Sequence, residues 1–479
     1  MKKINFIFTI IFFTLLTSSC DSEFLSPIPT DALNAGEFYK TEEQLKSGLL
    51  NMYDGIQGSN ALEDDDKKNQ AIQFEYYLTE MRSDNTKTKS SEGEAAQFED
   101  YKVVATNGIV ADYYLSFYNV IFRANTVLEN LDVASETNRP KFEGEAKFVR
   151  AYANFNLVRL FGDIPLVDHV LDISNSNDKK IQFTRVPKEQ VYDLIISDLQ
   201  FAISSLDNSY KNRASKAAAQ AMLAKVYLTL HINYVEAQLL CEAVIASNYS
   251  LRPNFKDVFF TENNSEIIFS IGFVSDNILE SQGFSAEWLN SVGRSSGVNY
   301  VTPEARAAID LLGGNRKAYS YRQDPGQATQ HQVVKYLPVA DASLGITASS
   351  VNARTAGNDW IVIRLADVLL MHVEAIMAGN NDTNAPGAIN SFQLIRSRAG
   401  ITTPVASITR QELLDERRVE LAFENQRLFD LIRFNEAQNV LSAYSQANNY
   451  SFTATDLLLP IPQREINISS GLLKQNPGY

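Results

Sequence analysis

Acidic residues are the first groups in this sequence that could carry out chemistry, because Asp and Glu number 57 against 43 Lys and Arg. Hydrolysis of a sugar linkage needs two carboxyl groups held on either side of the bond. The densest acidic cluster is DERRVELAFENQR (415–427). Its opposite charges stand three residues apart: Asp415 with Arg418, Arg417 with Glu420, and Glu424 with Arg427. This spacing favours ion pairs along one helix over a catalytic pair, and a surface hydrolase stays the alternative.

The sequence offers no other pattern typical of catalysis or metal binding. The four histidines are scattered without the spacing of metal ligands. Asp64–Asp66 lacks the spacing and the glycine of a calcium-binding loop. The chain has no nucleophile elbow, phosphate loop or dinucleotide-binding fingerprint. These patterns therefore point to no cofactor and to no metal site.

Sugar binding without catalysis needs fewer groups, because an aromatic face packs on a sugar ring while polar side chains bind its hydroxyls. Trp288 lies in SQGFSAEWLNSVGRSSGVNY (281–300), among the small and polar residues of a predicted exposed loop. Phe284 and Tyr300 stand near it in sequence. These three aromatic residues form the first candidate platform, and the alternative is a small local core beneath the loop.

A second candidate segment is TEMRSDNTKT (79–88). Its Arg82, Asp84 and Asn85 could supply polar contacts to a ligand. Phe98 and Tyr101 follow shortly after and could add aromatic faces.

Helical periodicity supplies the scaffold that must position these loops. Apolar residues recur at spacings of three and four in segments 144–161 and 191–206. RASKAAAQAMLAKVYLTL (213–230) has an alanine face and is followed after a short break by a second helix, which is typical of a tetratricopeptide-type solenoid. Further helices are predicted at 363–379, 387–400 and 410–434, with Trp360 in the core where a helix opens. The stretch 250–350 is rich in Gly, Ser, Asn and Pro and is predicted to be a loop-rich insertion with a few short strands.

The N-terminus has the features of a secretory leader. Lys2 and Lys3 precede an apolar run, and small and polar residues then lead to Cys20. We predict a lipoprotein signal over 1–19 and an acylated Cys20, although Thr17 stands where Leu is common. The alternative is a secreted protein without an anchor. Residues 20–40 are predicted to form a tether, and 41–479 a single domain.

The net charge limits the possible binding partners, and the cysteine content limits the possible disulfides. The formal net charge is −14, so nucleic acid is excluded as a partner because an acidic surface repels phosphate. If Cys20 carries lipid, Cys241 has no disulfide partner, and we expect a buried, inert thiol.

Several segments, in order, resemble the SusD/RagB family of outer-membrane lipoproteins from Bacteroidetes. The resemblance runs almost end to end and lies in EAKFVRAYANFNLVRLFGDIPLV, RASKAAAQAMLAKVYLTL, RLADVLLMHVEA, INSFQLIRSRAG, LLDERRVELAFENQRLFDLIRF and the ending LLPIPQREINISSGLLKQNPGY. The ending is the most specific of these.

This resemblance implies a mostly α-helical fold, with tetratricopeptide-like helix pairs wrapped by irregular structure. It also implies a cell-surface protein that is not an enzyme. Such a protein captures an oligosaccharide and passes it to a SusC-like, TonB-dependent β-barrel transporter. Asp21 and Glu23 look like the export signal of such lipoproteins. Two tryptophans are few for a glycan platform, so a peptide or another nutrient is the alternative ligand. A further alternative function is that of a solenoid adaptor that binds only protein.

Overall fold

The computed structural model describes residues 38–60, 69–88, 93–172, 174–289, 299–347 and 350–479. The leader, Cys20 and most of the predicted tether lie outside these ranges. Within them, no helix has both the length and the apolar character that crossing a bilayer requires.

The fold is mostly helical, as predicted. The α-helices, numbered in chain order, are α1 (Glu42–Gln57), α2 (Glu75–Leu78), α3 (Gly93–Glu99), α4 (Gly108–Glu129), α5 (Arg139–Phe161), α6 (Ser176–Phe183), α7 (Lys188–Ser205), α8 (Lys216–Leu230), α9 (Tyr234–Ile245), α10 (Lys256–Phe259), α11 (Phe284–Glu287), α12 (Pro303–Leu312), α13 (Lys317–Ser320), α14 (Leu365–Met377), α15 (Pro386–Arg398), α16 (Arg410–Glu420), α17 (Arg427–Arg433), α18 (Ala437–Asn448) and α19 (Gln463–Ile468).

Eight of the longer helices pack side by side in the order α1, α4, α5, α7, α8, α9, α14, α15. This succession of neighbours is the solenoid that the sequence predicted. Ala217, Ala221 and Ala224 of α8 are fully buried, since their small side chains let neighbouring helices approach closely. Gly162 ends α5 with a φ of 72°, a conformation that costs glycine little. Cys241 of α9 is a buried free thiol, as expected.

The strands are short and pair only in twos within the described residues. They are β1 (Thr86–Lys87), β2 (Ile164–Pro165), β3 (Arg185–Val186), β4 (Ile267–Ile271), β5 (Tyr300–Val301), β6 (Tyr321–Asp324), β7 (Gln327–Val333), β8 (Trp360–Arg364), β9 (Asp382–Thr383) and β10 (Ile408–Thr409). All five pairs are antiparallel: β1 with β5, β2 with β3, β4 with β8, β6 with β7, and β9 with β10. Trp360 is buried as predicted, but it begins strand β8 and not a helix.

The predicted ion pairs along segment 415–427 are wrong, because Arg417 pairs with Asp430 and Arg418 with Asp84, and the helix ends before Glu424. Helix α16 ends at Glu420, and Phe423 and Asn425 have φ values of 67° and 58°. The side chains of this segment therefore reach partners on other elements. Glu420 accepts hydrogen bonds from Arg316 at 2.8 Å and from Arg364 at 2.6 Å, with all three side chains almost fully buried.

Two buried carboxyl groups make the stability of this fold depend on pH. Burial raises the pKa of Glu75 from 4.5 to about 7, against the opposing charge of Arg159. Burial also raises the pKa of Glu80 to about 7. A carboxyl whose pKa is higher in the folded state holds its proton there, so folding becomes less favourable as pH rises above its unfolded pKa.

We expect the free energy of unfolding to fall between pH 6 and pH 8, by about 1 kcal/mol for each of these groups. Denaturant titrations at the two pH values measure this difference. Glu75→Gln should reduce it, because the amide does not titrate, whereas Glu189→Gln, at an exposed position, should leave it unchanged. An equal pH dependence in Glu75→Gln and the unmodified protein would contradict this assignment.

Candidate ligand-binding site

Strands β1 and β5 bring the two predicted ligand-binding segments together. Thr86 pairs with Val301 and Lys87 pairs with Tyr300 in an antiparallel ribbon. The Lys87 ammonium lies 5.6 Å from the centroid of the Tyr300 ring. Two segments about 200 residues apart in sequence therefore form one surface, which the sequence did not predict.

A hydroxyl and a backbone amide hold the ribbon in place. The Thr302 hydroxyl donates to the Asp84 carbonyl at 2.7 Å, and the Thr302 amide donates to the Asn85 carbonyl at 3.0 Å. The same hydroxyl accepts from the amide of Ala305 at 3.1 Å and so caps helix α12. The start of α12 thus fixes the position of β5 against segment 79–88.

Arg82, Asp84 and Asn85 are not exposed as the ligand hypothesis requires, since none is more than 4% exposed. Asp84 pairs with Arg418 at 2.9 Å and with Arg427 at 2.8 Å. Burial alone would raise the pKa of Asp84, but these two guanidinium groups outweigh it and hold the pKa well below its usual range.

The other two polar side chains also have internal partners. Arg82 donates to the Leu78 carbonyl at 3.1 Å and to the Asp456 carbonyl, and Asn85 donates to Glu80 at 3.2 Å. The polar cluster therefore attaches β1 to the helices near the C-terminus.

Trp288 is also buried, so the prediction of an exposed ring is wrong. Its side chain is 1% exposed and lies among aromatic rings, with centroids 4.8 Å from Tyr336 and 5.9 Å from Tyr76. Phe284 belongs to the same cluster, 6.3 Å from Trp288. The alternative of a small core beneath the loop fits this arrangement. The physical reason is that burying the large apolar indole stabilises the fold. The small Gly and Ser residues beside it in sequence make no contacts that would favour an exposed ring.

Phe98 and Tyr101 are buried as well. Phe98 is 0% exposed and lies 5.9 Å from the Tyr77 ring. Tyr101 is 6% exposed, packs 5.0 Å from Phe452, and donates its hydroxyl to the Arg82 carbonyl at 3.3 Å. Of the eight predicted ligand-binding residues, only Tyr300 is half-buried and still presents part of its ring to solvent.

Tyr300 and three neighbours form what we call the tyrosine surface: Lys87, Glu99, Tyr300 and Tyr450. Glu99 accepts a hydrogen bond from the Thr88 amide at 2.6 Å and another from the Tyr450 hydroxyl. Lys87, Tyr300 and Tyr450 are half-buried, whereas Glu99 is 7% exposed. The surface thus combines two tyrosine rings with one ammonium and one carboxylate.

The electrostatics keep both tyrosines protonated at neutral pH. Burial and the charge of Glu99 raise the pKa of Tyr300. Burial and the hydrogen bond to Glu99 raise the pKa of Tyr450 well above its usual value. Each ring therefore offers an apolar face and a hydroxyl, which is the combination that packs on a sugar ring and binds its hydroxyls.

Sequence reasoning missed three of these four residues. Lys87 lies within the second candidate segment and Glu99 just beyond it, and the pairing of β1 with β5 brings Lys87 to Tyr300. Tyr450 follows helix α18, about 350 residues from Glu99 in sequence. No local pattern around Tyr450 indicates a binding residue, so no signal in the sequence could have found it.

A cavity of about 330 Å³ opens at another place in the fold. Phe259, Phe260, Glu262 and Asp359 contribute to its lining. Burial raises the pKa of Asp359 to about 7, and its carboxylate accepts from the Phe273 amide at 3.2 Å. This cavity is the second place to examine for ligand binding.

Comparisons with known proteins place both the N-terminal and the C-terminal part of the chain near SusD-like proteins. A family model described as "SusD family" matches residues 278–479, and one described as "Starch-binding associating with outer membrane" matches residues 28–228. SusD-like protein P2 of Formosa agariphila is 26% identical, with all of both chains covered. The starch-binding protein SusD of Bacteroides thetaiotaomicron is 22% identical over 75% of this chain and 76% of its own.

Solved structures share the fold. A laminarin binding SusD-like protein superposes with a TM-score of 0.74 at 24% identity, covering 92% of this chain and 100% of the other. Surface glycan-binding protein A from Bacteroides thetaiotaomicron, in complex with laminarihexaose, superposes with a TM-score of 0.74 at 21% identity, covering 91% of this chain and 99% of the other.

Proposed function

Because this chain belongs to the SusD/RagB family, we propose that it binds glycans at the cell surface and delivers them to a SusC-like, TonB-dependent transporter. The observation that carries this proposal is the tyrosine surface, where pairing of β1 with β5 places Lys87 beside the ring of Tyr300. Relatives described as starch-binding and laminarin-binding support a glycan as the ligand. Binding by a few rings and hydroxyls is weak, which suits a protein that must release its ligand.

The proposed location is the outer membrane, with the chain anchored through lipid on Cys20. The family description that mentions association with the outer membrane supports this location. The charged start, apolar run and Cys20 of the leader support the anchor. Cys20→Ala should move the protein from the membrane fraction to the medium or the periplasm.

The proposal assigns no catalysis to the chain. The densest acidic cluster supports this view, because its Glu416, Glu420 and Glu424 carboxylates are engaged by cations inside the protein. Glu424 lies 2.7 Å from Arg364 and 2.6 Å from Lys335, and Glu416 lies 2.6 Å from Arg316. Carboxylates held in this way have no open face toward a sugar bond.

We expect Tyr300→Ala to weaken glycan binding at least tenfold, because a lost aromatic contact of about 1.4 kcal/mol changes affinity by that factor. The measurement is migration of the purified mature chain through native gels that contain a panel of polysaccharides, laminarin among them. Tyr210→Ala is the matched control, since Tyr210 is an exposed tyrosine that, like Tyr300, carries a cation over its ring, here from Arg213.

The outcomes distinguish an error in the proposed site from an error in the proposed function. Retardation that Tyr300→Ala abolishes and Tyr210→Ala keeps would support both. Retardation that survives in Tyr300→Ala and Tyr450→Ala would keep glycan binding and move the site to the cavity beside Asp359. No retardation by any polysaccharide would count against glycan binding and favour a peptide ligand.

A further inference from the structure

A second cavity, of about 310 Å³, lies against helix α4 and away from the residues of the tyrosine surface. We call it the α4 cavity. Its lining includes Tyr114, Tyr118, Phe122, His169, Gln182 and Glu465. The volume is at the lower end of the range for small-molecule sites, about 300–1,000 Å³, so it suits one small chemical group and its carbon body.

Three aromatic residues of α4 form one wall of this cavity. Tyr114, Tyr118 and Phe122 stand four residues apart and therefore lie on one face of the helix. The rings of Tyr114 and Tyr118 are 4.8 Å apart, and the Tyr118 hydroxyl donates to the Pro165 carbonyl at 2.8 Å. Phe122 is 48% exposed, so the wall opens to solvent at that end.

Glu465 is the unusual group in the lining. It is only 9% exposed, yet no residue in the described ranges reaches its carboxylate with a hydrogen bond or an ion pair. Burial raises its pKa, and the charge of the exposed Arg464 opposes this. The Glu465 side chain is largely covered, and its carboxylate has no partner among the described residues, so it can accept a hydrogen bond from a donor outside the protein.

The basic side chains His169 and Arg185 near the cavity both bind groups other than Glu465. His169 lies between two carboxylates, with Nδ1 2.7 Å from Asp168 and Nε2 3.6 Å from Asp178, so both of its ring nitrogens already face carboxylate oxygens. The half-buried Arg185 donates to the carbonyls of Asp163 and Lys474 and to Asn476. Neither cation forms an ion pair with Glu465.

We propose that the α4 cavity binds a primary ammonium group carried on an apolar body, with Glu465 as its counter-ion. The carbon body would lie along Tyr118 and Phe122, whose ring faces also attract a cation. The half-buried Gln182 amide can accept a further hydrogen bond from the ammonium group. Both a free small amine and a lysine side chain of a peptide carry this chemistry. The proposal does not depend on glycan binding.

Calorimetric titration of the purified mature chain tests the proposal. The probes are benzylamine, the neutral benzyl alcohol of the same shape, and a tripeptide with blocked ends and a central lysine. We expect benzylamine to bind at least tenfold more tightly than benzyl alcohol, because only the amine places a positive charge opposite the Glu465 carboxylate. Binding of the tripeptide at a similar affinity would identify the lysine side chain as the source, and its failure would identify a free amine.

Matched variants locate the site. Glu465→Gln should weaken benzylamine binding at least tenfold, and Phe122→Ala, at an exposed position that cannot disturb the core, should weaken it as well. Glu189→Gln, at an exposed position in the first turn of α7, should leave it unchanged. Equal affinity of Glu465→Gln and the unmodified protein, equal affinity for the amine and the alcohol, or no saturable amine binding at all would each overturn the proposal.

Discussion

Replacing Trp288 with Ala is expected to lower the free energy of unfolding by about 3–5 kcal/mol. The ring is 1% exposed and packs against Tyr336, Tyr76 and Phe284. Its removal leaves a cavity between α11, strand β8 and the segment near Tyr336, and close-packed neighbours relax into such a space only in part. Denaturant unfolding followed by far-UV circular dichroism measures the loss.

Trp288→Phe is the matched control for this prediction. The indole Nε1 has no hydrogen-bond partner within the described residues, so Phe removes volume but no polar contact. We expect a smaller loss of stability in Trp288→Phe than in Trp288→Ala, and unchanged polysaccharide binding. An alanine variant as stable as the unmodified protein, but unable to bind glycans, would show that Trp288 is a ligand platform and not a core residue.

The second large effect is expected at Glu420. Its carboxylate accepts from Arg316, Arg364 and Arg398, and its carbonyl accepts from Lys335 at 3.0 Å. Burial alone would raise the pKa of Glu420, but the three guanidinium groups outweigh it and hold the pKa well below its usual range. Glu420→Gln removes one negative charge and leaves these cations without balance, so we expect a loss of about 3–5 kcal/mol in the free energy of unfolding.

Glu43→Gln is the control for this charge effect. Glu43 pairs with Lys46 at 2.7 Å, but its side chain is 82% exposed, and an exposed pair contributes about 0–1 kcal/mol. Since the pKa of Glu420 is lowered on folding, its contribution is present above the unfolded pKa and is lost as pH falls. If Glu420→Gln loses no more stability than Glu43→Gln, then Glu266, Glu416 and Glu424 suffice to balance the cations.

The solenoid could be predicted from the sequence because its determinants are local. The alanine face of α8 and Gly162 at the end of α5 act within one or two turns of the chain. Apolar spacing of three and four residues identifies a helix face without knowledge of its partner. The family resemblance extends the same local patterns, since its motifs lie mainly on these helices.

The sequence could predict the candidate site only as two regions, because amino-acid composition does not show which way a side chain points. Gly and Ser around Trp288 indicate a loop but not which way the indole points, and it points into the core. Arg82, Asp84 and Asn85 have the polar groups of a ligand site, yet segments distant in sequence, including Arg418 and Arg427, use those groups internally.

By itself the sequence determined the family, the mostly helical solenoid, the buried free Cys241 and the prediction of a lipid-anchored leader. The tertiary structure alone decided which side chains remain available to a ligand. Pairing of Lys87 with Tyr300, contact of Glu99 with Tyr450, and the absence of a partner for Glu465 within the described residues all depend on segments that are distant in sequence. The physical reason is that helix formation follows from neighbours along the chain, whereas burial and charge balance follow from neighbours in space.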